Sequence, residues 1–166
     1  MKYLECNSTL LSMKVDYYLA HFIPANFELK SNTALSLNAS ANILDTLNEN
    51  YPKYLEFFNK SNLIADCLQT GNIFNLVVEE NNTDMTTTTY SKVAVALEKL
   101  KNICMLKNIR KIAISFDGIA FSNHDLKYKL SINNKERIIF YRSKLADLIS
   151  YAFSDTPIVV ILCTKI

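Results

Sequence analysis

The chain has 166 residues, 49% hydrophobic and 20% charged, with a net charge of +2, which excludes a disordered chain and predicts one domain over residues 1–166 with a sizeable core. A charge this small carries no nucleic-acid signature, and the basic group Lys99, Lys101, Lys107, Arg110 and Lys111 reads as solvated helix and strand faces. No apolar stretch is long enough to cross a bilayer, and MKYLECNSTL lacks the apolar core of a signal peptide, so an intracellular (cytoplasmic or nuclear) protein with no membrane partner is expected.

Lys2 to Cys6 reads as the first strand. Tyr17 to Ile23 is an apolar run with the length and composition of a buried strand. Pro24, Ala25 and Asn26 break it with turn chemistry. After the polar Lys30, Ser31 and Asn32, apolar residues resume at helical spacing at Ala34, Leu35 and Leu37. A strand that ends in a loop from which a helix departs is a common ligand position in α/β proteins. The strand's carboxyl end and the helix's first N–H groups face one crevice there.

Ser40 to Leu47 is predicted as one short helix, and Pro52 as the start of another carrying Tyr54, Leu55, Phe57 and Phe58. Leu68 to Glu79 reads as a hairpin or strand pair around Gly71. Thr88 or Thr89 is placed to cap a helix whose stripe is Val93, Ala96, Leu97, Leu100, Ile103 and Cys104. Lys111 to Phe116 follows as a strand ending in the loop Asp117-Gly118-Ile119-Ala120. Leu130–Ile132 and Ile138–Tyr141, flanking Asn133-Asn134-Lys135-Glu136, are predicted as a hairpin. Lys144 to Phe153 is an amphipathic helix, and Ile158 to Cys163 is an apolar strand suited to the middle of a sheet. This alternation predicts an α/β fold with a mixed, mainly parallel sheet and helices on both faces. Right-handed crossovers would bring the strand ends at Ile23 and Phe116 to one edge.

Few residues in this pattern carry chemistry. Cys6, Cys67, Cys104 and Cys163 are scattered, with no pair at metal-ligand spacing, and read as buried free thiols. No metal and no cofactor is expected. The two glycines, Gly71 and Gly118, are too few for a Gly-rich phosphate loop or a dinucleotide fingerprint. His21 sits in an apolar strand, where a hydrogen-bonded core histidine outweighs a ligand. Ser122, His124 and Asp125 hold the residue types of a hydrolytic triad, but sequence neighbours rarely converge as one. Glu79, Glu80 and Asp117 end strands and read as solvated carboxylates. Tyr90, Phe116 and Phe121 suit either an aromatic wall for a base or the core.

Some of these residues also stand in a familiar order. They are the strand Leu19-Ala20-His21-Phe22-Ile23, the helix start Thr88-Thr89-Tyr90 continuing as Ala94-Val95-Ala96-Leu97-Glu98-Lys99-Leu100, and Lys111-Ile112-Ala113-Ile114 before a loop. Phe153-Ser154-Asp155-Thr156 before a terminal strand completes the set. In this order the chain resembles the macro domain family. It is most similar to the compact branch of terminal ADP-ribose protein glycohydrolase and related ADP-ribose deacylases. The resemblance spans nearly the whole chain, with an inserted hairpin at about 129–142. It implies a three-layer α/β/α fold that presents ADP-ribose to a crevice at the strand ends.

The family's ligand positions are altered here. Where the family has Gly-Asp after the first strand, this chain has Cys6-Asn7, and Asn7 offers an acceptor without the charge. Where the first phosphate loop carries Gly-Ala-Gly, Lys30-Ser31-Asn32 places Cβ atoms in the path of the diphosphate. The second loop reads Gly118-Ile119-Ala120-Phe121-Ser122, with Ser122 in place of the catalytic aspartate. The family's reactive lysine falls near Asn81 or Asn82. Neither substitute can form a Schiff base or act as a strong general base. The resemblance therefore implies a degenerate macro domain without catalytic residues, serving as a protein-interaction module. Its partner would be another protein, with at most weak ADP-ribose or nucleotide binding. The alternatives are an ADP-ribose reader that has lost only catalysis and a hydrolase with a set rearranged around Asp117, His21 or His124. Any retained ligand would touch Asn7, His21, Asn26, Lys30, Ser31, Asn32, Asp117, Gly118, Ile119, Ala120, Phe121 and Ser122.

Overall fold

The computed structural model describes residues 1–79, 90–117 and 134–165. In chain order the elements are β1 (Lys2–Cys6), a short 3-10 helix (Leu10–Met13), β2 (Tyr18–Pro24), α1 (Asn32–Ala41), α2 (Ile43–Asn50) and α3 (Tyr54–Lys60). They continue as β3 (Asp66–Thr70), β4 (Ile73–Glu79), α4 (Tyr90–Leu106), β5 (Lys111–Ser115), α5 (Asn134–Phe153) and β6 (Val159–Cys163). The strands form one sheet in the order β1-β6-β5-β2-β4-β3. Every neighbouring pair is parallel except β3–β4, which is an antiparallel hairpin. Gly71 turns that hairpin at φ +59, a conformation glycine adopts without steric cost.

The apolar run of β6 accounts for its interior place, between β1 and β5. The sheet divides its side chains between two helical layers, giving a three-layer α/β/α architecture. On one face Phe22, Phe74, Leu76, Ile112, Ile114, Val160 and Leu162 pack with Val93, Leu97 and Leu100 of α4 and with Leu145, Ile149 and Phe153 of α5. On the other face there are two smaller clusters. Leu19, Ile73, Ala113 and Ile161 meet Leu10 and Leu37 in one, and Ile23, Leu68 and Val77 meet Leu47, Tyr54 and Phe58 in the other.

Three expectations are corrected. The predicted hairpin strand Ile138–Tyr141 is helical, because α5 begins at Asn134 rather than near Lys144. A short apolar run does not by itself separate strand from helix. Here its last residue, Tyr141, stands at the head of a helical stripe that continues through Leu145, Leu148, Ile149 and Phe153 onto the core. The other predicted hairpin strand, Leu130–Ile132, lies outside the described residues, as do Thr88 and Thr89. The helix expected over Ser40–Leu47 is broken at Asn42, whose left-handed φ of 50 ends α1 and precedes α2. Pro52 does not open α3, because Lys53 follows in the left-handed region at φ 63 and the helix begins at Tyr54.

Candidate functional site

β2 and β5 pair through Tyr18↔Ile112, Leu19↔Ala113 and Ala20↔Ile114, and their ladder ends there. Beyond that level β2 continues against β4 alone, through His21↔Asn75 to Pro24↔Glu79. The parting of two central strands at their carboxyl ends is where an α/β sheet offers a ligand site, and α1 starts beside it.

The amino-terminal end of α1 is bonded from within. The Asp117 carboxylate, just past β5, accepts from the Thr33 N–H at 2.9 Å. Ser31 caps the helix, its Oγ accepting from the Ala34 N–H at 3.1 Å. The Thr33 and Ser115 hydroxyls meet at 3.2 Å, and the Asp117 N–H donates to Ser115 Oγ at 3.2 Å. First-turn N–H groups of a helix attract anions, and at this helix the anion is a carboxylate of the same chain.

Behind this group lies a buried polar row. Register places Cys6 beside Cys163 and Cys163 beside Ser115. One step past the last β2–β5 pair, strand alternation puts His21 on the face of Leu19 and Ala113, and His21 is registered with Asn75. The Asn75 amide donates to the Leu68 carbonyl at 3.0 Å and to Thr70 Oγ1 at 2.9 Å, so its oxygen is left to accept from His21 Nε2 at 2.6 Å. His21 is fully buried, and its Nδ1 has no hydrogen-bond partner among the described residues. Burial lowers the His21 pKa to about 4, against the opposing pull of the Asn75 bond and the Asp117 charge. At neutral pH it is an uncharged imidazole with no exposed surface.

The other expected site residues are spread out. Asn7 is exposed just beyond β1. Asn26 is half-buried, and its Oδ1 accepts from the Glu28 N–H at 2.9 Å in a local turn. Next to it, Phe27 takes a left-handed φ of 60 and stacks on Tyr54 at 5.3 Å. The Lys30 ammonium pairs with Glu28 at 3.3 Å, on the surface. Asn32 and Thr33 line a cavity of about 110 Å³ with Thr9, Leu10, Leu11, Ser36 and Lys165. A larger cavity of about 560 Å³ opens near the amino-terminal ends of β2 and β4, lined by Leu11, Lys14, Leu19, Leu37, Thr70 and Ile73, and by none of the expected ligand residues that are described.

Gly118, Ile119, Ala120, Phe121 and Ser122 lie outside the described residues, as do Asn81, Asn82, His124 and Asp125. Phe116 packs on the α4–α5 face, opposite Asp117, so it belongs to the core rather than to an aromatic wall. The expected basic face is partly engaged: Lys99 donates to the Ala65 carbonyl at 2.8 Å, Lys101 pairs with Glu98, and Lys107 bonds Gln69. Among the described residues no cluster of His, Cys, Asp and Glu could hold a metal ion, and no helix is long and apolar enough to cross a membrane. Sequence reasoning missed Thr33, Ser115 and Asn75. The available signal was a polar residue adjoining a run of buried apolar positions for Ser115 and Asn75, and there was none for Thr33.

Among solved structures, the chain superposes on the macrodomain of Mycobacterium tuberculosis DarG over 97% of each chain, at TM-score 0.61 and 13% identity. It superposes on the macrodomain of Thermus aquaticus DarG over 97% of each chain, at TM-score 0.58 and 10% identity. The chain has the macrodomain fold. The IBV X-domain aligns over 98% of this macrodomain-fold chain and 89% of its own, at TM-score 0.54 and 11% identity. No family model and no curated protein matches the sequence. Within the macrodomain fold, then, the divergence in sequence is deep, and the chemistry has to be read from the residues in place.

Proposed function

We propose that this macrodomain-fold chain is a binding module that has lost hydrolase chemistry, docks a protein partner, and retains at most residual ADP-ribose or nucleotide binding. The observation that carries this reading is the Asp117 carboxylate on the Thr33 N–H at the start of α1. A diphosphate arriving there would meet a like charge already holding the donor it needs. Ser31 holds the next N–H. The side chains of Lys30 and Asn26 are likewise turned to Glu28 rather than left open. The replacement of the family's catalytic positions by Asn81 or Asn82 and by Ser122, inferred from the resemblance, points the same way. His21 is too deeply buried to touch a substrate, and its depressed pKa makes it a weak base at neutral pH.

Titration calorimetry with ADP-ribose is the test. The wild-type protein is expected to give no heat of binding at ligand concentrations that saturate a micromolar site. Asp117→Ala is expected to gain anion affinity by freeing the Thr33 N–H. Micromolar binding by the wild type, weakened by Asn7→Ala and by a bulky residue at Gly118, would overturn the proposal. That outcome would favour a second reading, an ADP-ribose reader, which the cavity beside Asn32, Thr33 and Lys165 supports. Release of ADP-ribose from a modified protein, abolished by Asp117→Ala, would instead mark a hydrolase with a rearranged site.

A further inference from the structure

Cys6 and Cys163 are register partners on the parallel neighbours β1 and β6. Their Sγ atoms are 3.8 Å apart, although they lie 157 positions apart in sequence. Both face the cluster around Leu10 and Ile161. The backbone beside them is tied down, since Thr164 donates both its N–H, at 2.9 Å, and its hydroxyl, at 3.0 Å, to the Cys6 carbonyl. Side chains on paired positions of adjacent strands are close enough for a disulfide to form with little backbone movement. The other two thiols, Cys67 and Cys104, are buried in the cluster on the opposite face of the sheet.

We propose that Cys6 and Cys163 form a redox-modification site, at which hydrogen peroxide converts the two thiols into a disulfide joining β1 to β6. Cys6 is only half-buried while Cys163 is buried, and burial pushes the Cys163 thiol up to about 12. Cys6 is therefore the thiol the oxidant reaches first. Its thiolate attacks one peroxide oxygen. An S–O bond forms, the O–O bond breaks, and the departing hydroxide takes up a proton as water, leaving a sulfenic acid. The Cys163 sulfur then attacks the Cys6 sulfur. The S–S bond forms, the S–O bond breaks, and a second water leaves with the Cys163 proton. Two thiols are oxidised to one disulfide, and one peroxide is reduced to two waters. The bond fixes the edge strand at the same end of the sheet as Asp117, one residue from both Asn7 and Thr164.

The test is to titrate the folded protein with hydrogen peroxide, alkylate the remaining thiols, and map tryptic peptides without reduction. Two of the four thiols should vanish together, the peptides spanning 3–14 and 145–165 should be recovered linked, and dithiothreitol should restore both thiols. Cys163→Ser should stop at a sulfenic acid on Cys6 that dimedone traps. Cys6→Ser should leave Cys163 reduced at the same dose. Three results would overturn the assignment: a link between any other pair, sulfinic acid on Cys6 with Cys163 still free, or survival of all four thiols at doses that oxidise the unfolded chain.

Discussion

On the α4–α5 face the sheet presents Ala20, Phe22, Phe74, Leu76, Ile112, Ile114, Val160 and Leu162, all buried and all apolar. On the opposite face His21 and Asn75 stand between Leu19 and Ile73 of one apolar cluster and Ile23 and Val77 of the other, level with Cys6, Cys163 and Ser115. At these positions the first face is held by apolar packing. The second accepts the cost of buried polar groups and nearly meets it with hydrogen bonds, leaving His21 Nδ1 as the exception among the described residues. The row lies level with the parting of β2 and β5 and near the start of α1.

The contrast is broken most deeply from the apolar side. Phe74→Ala empties a fully buried site against Tyr18 and α4 and is expected to cost about 3–5 kcal/mol in urea unfolding. Acid tests the polar row directly, because His21 titrates there. Its pKa is lowered from 6.5 in the unfolded chain to about 4 in the fold. The folded state therefore binds fewer protons in that window. The contribution is fully present above pH 6.5 and is lost as the pH falls towards 4, by about 3 kcal/mol. His21→Leu should flatten that part of the stability–pH curve while leaving the rest of its shape. An unchanged slope would mean that His21 becomes charged in the fold without penalty. The smallest effect expected is at the edge of the polar face. Ser31→Ala removes the cap on the Ala34 N–H and should lower stability by about 1 kcal/mol. Because Asp117 and Thr33 are untouched, it should leave ADP-ribose binding as weak as before.

Much of the architecture was legible in the sequence because its strands and the main helix carry complete patterns. The apolar runs Tyr17–Ile23 and Ile158–Cys163 were long enough to be read as buried strands, found at Tyr18–Pro24 and Val159–Cys163, and the α4 stripe from Val93 to Cys104 as a helix. The short elements were less legible. Asn42 and Lys53 end or offset helices through left-handed backbone, which composition does not reveal. Ile138–Tyr141 was too short to show whether it ran as strand or helix. The candidate site was legible only in part. Ser31 and Asp117 were singled out as separate loop residues, but the bond from Asp117 to Thr33 joins positions 84 apart in sequence.

By itself the sequence determined that this is an α/β chain with a mixed sheet, and that His21 lies in an apolar strand. Both follow from local periodicity, since burial on one or both faces is written into successive residues of a single element. Only the tertiary structure decided that Cys6, Cys163, Ser115, His21 and Asn75 share one level of one face, and that a carboxylate of the same chain holds the first turn of α1. Those facts depend on strand order and register, which set residues from five separate strands side by side. No pattern within any one strand encodes its alignment with the next.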